Sequence, residues 1–590
     1  MRQIDLTVEI AGSSGDGTLA SGEILARTLS EQGYHILTFD VYPAEIRGFG
    51  KCVAHTRISD QSVLSVGRQV DILVSLNDPY AIEQLPTLRP DGVVLFDSWP
   101  LKEVEEKECV AGHLRAGNHL YGVPFGELSQ RATHSSRSRN IVALGALAAL
   151  FDIDVEKFVA SLQKKFGKKK GDVAKNVEMA FRAGVDYARE NVLKMDEFSF
   201  KVDKELEAKD YVIMTGNDAA AKGAIDAGCK FYAGYPITPA TKIMEILSKE
   251  LPGRGGTVVQ AEDEISAIGM VTGAGIVGTR AMTATSGPGI CLMNEFIGYN
   301  VMAENPVVIV DSQRGGPATG LPTKTEQSDL MLALFSGNGD APRIVMAPTS
   351  VGECHQWMTE AFYLAEKYQL PVIVLMDLFL STRKGNVIIK QPPEEKLSAN
   401  KMPTDEDLLD YKRFKLTDDG VSPRSIPGMK GGEFVISGLE QNEEENPSYY
   451  ADVHTNMTEK RHKKLLSALK DDVPKPERFG YSGRAKLGVL GWGSTLGAIV
   501  EGVERACEKG YKVAALKQVV VNPLDVEEIE KFCNDCDELL VAEVNYAGQF
   551  ANWVSMHVPK PMHRLNRVNT QPLNWADVLD EIENIIGEVK

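Results

Sequence analysis

The sequence predicts an α/β protein of several domains built on parallel sheets, and three observations carry that expectation. Four short apolar runs, residues 231–233, 257–260, 281–285 and 306–310, alternate with helical stretches rich in Ala, Gly and Met, which is a βαβ succession. A second such succession opens the chain, where the run 6–10 leads through GSSGDG into a helix at 18–32 and another run at 35–40. The third is size: 590 residues exceed what one hydrophobic core usually supports, so about three domains are expected.

In chain order, the first domain is expected to span 1–187, with further strands at 71–76 and 92–96 and a helix near 140–150. A polar stretch at 188–210 reads as a linker, and a second α/β domain follows at 211–390. Residues 391–480, with Pro392, Pro393, Pro403 and the acidic run around Glu443, read as a long irregular arm lying over a neighbour. The last domain, 481–590, is expected to hold strands at 487–490, 512–517 and 538–543 and the turn GWGST at 491–495. KKFGKKKG at 164–171 reads as a solvated helix end.

Composition narrows the function. A net charge of −18 with 43% hydrophobic and 25% charged residues fits a soluble globular protein and disfavours affinity for nucleic acid or anionic membrane. The apolar runs are too short to span a bilayer, and the start MRQIDLTVEI has no signal-peptide pattern, so the expected location is the cytoplasm. Of eight cysteines only Cys533 and Cys536 form a CxxC pair, and a cluster or structural zinc normally needs four ligands. No HExxH, P-loop or G-x-S-x-G pattern occurs.

Four polar residues, Thr238, Glu264, Ser286 and Arg314, follow the four strands of the second domain. The ends of parallel strands are where open α/β sheets bind ligands. Glu264 opens a helix; an acid there that can share a proton has the chemistry to tautomerise an aminopyrimidine, and it could equally be one of three capping acids. Arg314, followed by Gly315 and Gly316, could grip a carboxylate bidentately, with the hydroxyls of Thr238 and Thr323 sharing that anion. In GSSGDG, Gly12, Ser13 and Gly15 could contact a phosphate or coenzyme at a helix N-terminus. The G-x-x-G-x-G spacing departs from a dinucleotide fingerprint, although Asp40 stands where a ribose-binding acid would lie. A turn with no ligand is the plain alternative. A thiamine metal motif starting at Gly15 needs an Asn about thirty residues on, and none occurs before Asn77.

The segments AGYPITPAT (233–241), AEDEISAIG (261–269), ATSGPG (284–289) and QRGGPATGLPTKTEQSDL (313–330) resemble the α subunit of 2-oxoacid:ferredoxin oxidoreductases, and the likeness extends over nearly the whole chain. It implies thiamine-enzyme architecture: a γ domain fused ahead of a pyrimidine-binding domain, then a transketolase C-terminal-like domain. The YPITP and RGGP-T-G-PT pair is its specific signal. By this resemblance Glu264 is the catalytic acid beside the aminopyrimidine of thiamine diphosphate, with Tyr235, Pro236, Ile237 and Ser286 around the cofactor. Thr238, Arg314 and Thr323 would hold the substrate. Arg47, in DVYPAEIRGFG, would reach a distal carboxylate, although many relatives carry Lys in an I-K-G-G setting there. The resemblance also implies a β subunit holding the diphosphate, Mg2+ and a [4Fe-4S] cluster, in an (αβ)2 assembly that passes electrons to ferredoxin. The implied reaction is coenzyme A-dependent oxidative decarboxylation, with 2-oxoglutarate the favoured substrate and pyruvate or a broad 2-oxoacid range the alternative. Two other readings are a non-oxidative thiamine lyase or transferase, and a nucleotide-binding scaffold using GSSGDG alone.

Overall fold

A computed structural model of the protein describes residues 4–42, 50–99, 109–167, 172–202, 206 and 210–588. It divides into two compact units, Met1–Met214 with Arg383–Ile388, and Thr215–Thr382 with Ile389–Lys590.

The first unit is built on an eight-stranded sheet. Its strands are β1 (Asp5–Ser13), β2 (His35–Val41), β3 (Lys51–Ser59), β4 (Val70–Ser75), β5 (Leu88–Asp97), β6 (His119–Val123), β7 (Val212–Thr215) and β14 (Lys384–Val387), in the order β6-β5-β4-β1-β3-β2-β14-β7. β1, β4, β5 and β6 are parallel, whereas β3 lies between β1 and β2 and is antiparallel to both. This corrects two expectations. The antiparallel ladder carries β1 through Gly12 and Ser13, paired with Cys52 and Lys51, so the turn begins at Ser14 rather than Ala11. Asp40 is a strand removed from β1, and its carboxylate is occupied by Lys384 Nζ at 2.7 Å, so it is no ribose-binding acid.

The second unit carries a seven-stranded sheet of β8 (Phe231–Gly234), β9 (Thr257–Gln260), β10 (Ala281–Thr285), β11 (Val307–Gln313), β12 (Ile344–Met346), β13 (Pro371–Asp377) and β18 (Val520–Asn522), in the order β18-β12-β13-β11-β10-β8-β9. Every pairing from β12 to β9 is parallel. The central strands AMTAT, VVIVDSQ and PVIVLMD are buried at every residue, which is why they read as nearly unbroken apolar runs. A five-stranded sheet of β15 (Glu477–Gly480), β16 (Ala485–Leu490), β17 (Val513–Lys517), β19 (Cys536–Glu543) and β20 (His563–Asn566) completes the unit in the order β15-β17-β16-β19-β20. The two sheets share a core, in which Ile309 and Ile373 belong to the same cluster as Trp492, Leu516 and Phe532.

The expected irregular arm contains a helix of 21 residues, Ala451–Asp471, which buries Met457, Lys460, Arg461, Lys464 and Ala468. Its sequence HTNMTEKRHKKLL looks solvated because the buried groups are cations. They enter the interior by pairing with Glu304, which takes Lys464 Nζ at 2.6 Å on one oxygen and Lys460 Nζ on the other. Arg413 adds hydrogen bonds to the carbonyls of Ala303 and Glu304 at 3.2 and 2.7 Å, capping the C-terminal end of the Gly287–Met302 helix.

Candidate active site

The parallel strands of the second unit end together, and the residues that follow them form a polar edge. Asp263 caps the Glu264–Ile276 helix, its side chain accepting from Ser266 N at 2.7 Å, and this fixes Glu264 as the first helical residue. Glu264 is only 6% exposed. The neighbouring Gly287–Met302 helix opens with Ser286 as its cap and Pro288 in its first turn. Two glycines in that turn are required by close approach: a Cβ on Gly289 would stand 2.8 Å from Glu264 Cγ, and one on Gly287 would stand 2.5 Å from Asp329 Oδ2. The turn is therefore flanked by two carboxyl groups, Glu264 and Asp329.

Arg314 directly follows β11 and donates from Nη1 to the carbonyl of Thr238 at 2.8 Å, so the structure brings Thr238 and Arg314 together through the Thr238 backbone rather than its hydroxyl. The Arg314 side chain is 8% exposed, and burial lowers its pKa against the pull of Asp329. Thr323 lies half-buried on a loop that folds back on β11, where Gly315 N donates to Lys324 O at 2.9 Å and Leu321 N donates to Gly315 O at 2.8 Å. Tyr235 is exposed, Pro236 and Ile237 are half-buried, and the Ile237 carbonyl accepts from Thr241 N. Ser286 is fully buried. Arg47 lies outside the described residues.

Sequence reasoning missed a second tier of residues behind this edge. Asp311 and Gln313 share one face of β11, with Asp311 opposite Thr285 on β10, and Gln313 Oε1 accepts from Asp329 N at 3.1 Å. Several buried polar atoms there have no protein partner among the described residues: Thr283 Oγ1, Ser286 Oγ, both oxygens of Asp311, Gln313 Nε2 and Arg314 Nε. Buried polar groups are ordinarily satisfied, so such a concentration at the strand ends marks a place that receives a ligand or water. The available signal was the acid two residues before Gln313 and the one closing TEQSD, both adjoining the RGGP segment. Gln327 of that segment serves the scaffold instead. It donates to Trp492 O at 2.9 Å, and its backbone N donates to Val544 O at 2.8 Å, locking the loop onto the five-stranded sheet.

In the first unit, the glycine-rich turn is held by its own carboxylate. Asp16 Oδ2 accepts from Ser13 N at 2.8 Å, and Oδ1 pairs with Arg139 at 2.5 Å. Gly15 and Gly17 have φ of 99° and 79°. Gly17 caps the Thr18–Glu31 helix in a left-handed conformation that a side chain would disfavour. Cys533 and Cys536 are both buried, and burial pushes their thiols up to about 12 and about 11. All eight cysteines are free. Among the described residues no group of three or more His, Cys, Asp or Glu is placed to hold a metal ion, and no helix is long and apolar enough to cross a membrane.

Comparison with known proteins places the chain in a class. Residues 222–460 match the family model for the thiamine diphosphate-binding part of pyruvate flavodoxin/ferredoxin oxidoreductases, and residues 7–187 match the pyruvate ferredoxin/flavodoxin oxidoreductase model. The fold is thus that of a thiamine diphosphate-binding oxidoreductase. A 2-oxoacid:ferredoxin oxidoreductase subunit alpha of Sulfolobus sp. is 30% identical over 98% of this chain and 96% of its own length. The 2-oxoglutarate oxidoreductase subunit KorA of Mycobacterium tuberculosis is 32% identical over 88% of this chain and 82% of its own. The structure of 2-oxoglutarate:ferredoxin oxidoreductase from Magnetococcus marinus, with 2-oxoglutarate, coenzyme A and succinyl-CoA bound, superposes with a TM-score of 0.93 at 35% identity, covering 99% of this chain and 100% of that one. The chain belongs to the 2-oxoacid:ferredoxin oxidoreductases, as an alpha subunit.

Proposed function

We propose that the chain is the α subunit of a 2-oxoglutarate:ferredoxin oxidoreductase, which converts 2-oxoglutarate and coenzyme A to succinyl-CoA, CO2 and a proton while two electrons leave singly for ferredoxin. The carrying observation is the full-length likeness to the Magnetococcus marinus enzyme whose structure holds 2-oxoglutarate, coenzyme A and succinyl-CoA. The residues present suit thiamine diphosphate: a buried acid at a helix start, a first turn whose Gly289 leaves room for that acid, and a buried Ser286 hydroxyl with no protein partner among the described residues. When bound, the cofactor supplies the electron sink for decarboxylation.

In this reading Glu264 holds and releases a proton at the aminopyrimidine edge, while Ser286 and the residues 235–237 shape the wall around the ring. Arg314 grips the substrate carboxylate from a guanidinium already anchored on Thr238, with Thr323 beside it and Arg47 serving a distal carboxylate. Gly12, Ser13 and Gly15 contact the coenzyme A phosphates. We assign the diphosphate, Mg2+ and the [4Fe-4S] cluster to a β subunit in an (αβ)2 assembly in the cytoplasm, and the domain limits to 1–187, 211–390 and 481–590, corrected in that Lys384–Val387 completes the first sheet and Val520–Asn522 the seven-stranded one. The test is co-expression with a cysteine-bearing β partner. A brown complex that reduces ferredoxin with coenzyme A, and prefers 2-oxoglutarate across a panel of 2-oxoacids, is expected; a colourless, inert complex overturns the proposal.

A further inference from the structure

The glycine-rich turn of the first unit meets a second turn, residues 135–139, at the starts of two helices, Thr18–Glu31 and Arg139–Leu150. Asn140 ties those starts together. Its Nδ2 donates to Ser21 Oγ at 2.9 Å and to the Gly17 carbonyl at 3.5 Å, and a Cβ on Gly17 would stand 2.5 Å from that nitrogen. Neither helix is capped by a side chain: Gly17 has none, and Ser138 makes no cap bond. Two helix starts of this kind, side by side, favour an anion between them.

Two side chains mark the junction as a receiving site. Thr18 is 2% exposed, and its Oγ1, which has no protein partner among the described residues, reaches back into the turn to within 2.2 Å of where a Cβ on Gly12 would stand. Buried hydroxyls are ordinarily satisfied, so this one awaits an acceptor. Arg139 is the cation at the same place. Its Nη2 donates to Asp16 Oδ1 at 2.5 Å, and 34% of its side chain is open to solvent. The other Asp16 oxygen accepts from Ser13 N at 2.8 Å, so the turn keeps its own bond when Arg139 leaves. An ion pair this open to water is weakly held, whereas a planar guanidinium binds a phosphate through two parallel charge-assisted bonds. A Cβ on Gly15 would meet nothing within 4 Å, which leaves that side of the turn clear for the incoming group.

We propose that Arg139 binds the diphosphate of coenzyme A: Asp16 holds its guanidinium ready at the junction of the two helix starts, and the guanidinium turns from that carboxylate to the diphosphate when the coenzyme arrives, with the Thr18 hydroxyl as a further donor. This rests on the assignment of the glycine-rich turn to coenzyme A. Arg139 then sets the preference for a phosphate-bearing thiol over a bare one.

The experiment offers the complex, assembled with its β partner, coenzyme A, dephospho-coenzyme A, which keeps the diphosphate, and pantetheine, which has no phosphate. Dye reduction with 2-oxoglutarate gives kcat/KM for each thiol in the wild type and in Arg139→Gln. The preference for coenzyme A over pantetheine is expected to narrow about tenfold or more in Arg139→Gln, the worth of a hydrogen bond to a charged group, and the preference for dephospho-coenzyme A to narrow equally. Arg139→Lys, which keeps the charge and loses the fork, recovers part of the difference. Calorimetry with desulfo-coenzyme A, which has no thiol to acylate, gives the same comparison for a slow complex, with binding weakened about tenfold or more at an unchanged thermal midpoint. A preference equal in the two complexes, or a loss that pantetheine shares, overturns the inference and leaves the function standing. A loss with coenzyme A that dephospho-coenzyme A does not share overturns the assignment to the diphosphate. A wild-type complex that turns over no 2-oxoacid with any of these thiols overturns the function itself.

Discussion

The two ends of the Gly287–Met302 helix bury charge in opposite ways. Past its C-terminal end, Glu304 is clasped by Lys460 and Lys464, and Arg413 closes the last carbonyls, so each charge has a partner. At its N-terminal end, Asp311, Gln313, Ser286 and Arg314 keep buried atoms without protein partners among the described residues. One end is finished by the chain itself; the other is completed by what binds there. The difference teaches that burial of charge alone does not mark a site, whereas burial of charge without a partner does.

The largest effect that could break this comparison is at the open end. Replacing Glu264 by Gln in the assembled enzyme is expected to lower turnover of 2-oxoglutarate about 100-fold or more, the usual worth of a general acid–base group, with the thermal midpoint little changed. Near-normal turnover would remove Glu264 from the chemistry. At the closed end the ranking inverts. Glu304→Ala strands the two buried ammonium groups of Lys460 and Lys464 and is expected to cost about 3–5 kcal/mol in chemical denaturation while turnover per folded molecule is kept. A shift below about 1 kcal/mol would show that the cluster is not structural.

The pH dependence of stability sharpens the same contrast. Burial pushes Lys464 down to about 7 and Lys460 to about 8 against the pull of Glu304, while Glu304, despite its own burial, is held at about 2 by Lys460, Lys464 and Arg413. Three cations face one carboxylate, so Lys464 is the first to give up its proton. A lysine whose folded pKa lies below its unfolded value binds fewer protons when folded, so stability rises as pH climbs from about 7 toward 10. The carboxylate works the other way, its contribution being lost as pH falls from 4.5 toward 2. Stability in urea should therefore increase between pH 7 and 9 by about 1–2 kcal/mol in the wild type and much less in Lys464→Met. The smallest effect is a control on the Glu264 helix. A Cβ at Gly273 meets nothing within 4 Å, so Gly273→Ala should stabilise by at most about 1 kcal/mol and leave KM alone.

Much of this was legible from residue order. Strand 281–285 forms at those residues because a strand buried on both faces is nearly apolar throughout and a break at either end stands out, whereas 257–260 is an edge strand that was readable from its β-branched Thr257, Val258 and Val259. Glu264 and Arg314 were readable because each closely follows a strand. The Glu304 cluster was not, since Lys460 lies 156 positions from its partner and a cation-rich helix looks solvated until that partner is known. The reading of Asp40 failed for a topological reason: an antiparallel β3 between β1 and β2 is invisible in a strand–turn–helix–strand pattern. Asp311 was hidden because β11 is buried on both faces, so nothing in its run marks the face that carries the acid, and Asp329 because its approach to Gly287 joins segments far apart in sequence.

The return of residues 384–387 into the first sheet governs how that unit can be studied. β14 runs beside β2, where Gly385 stands opposite Leu37, Lys384 N donates to Thr38 Oγ1 at 3.0 Å and Asn386 Nδ2 donates to Tyr34 O at 3.1 Å. Excising the first 210 residues would strip β2 of its outer neighbour, expose a bare row of amides and carbonyls open to self-association, and leave Asp40 without its ammonium. A fragment intended to report nucleotide affinity must carry residues 383–388 with it, supplied as a peptide or spliced on as an extra strand.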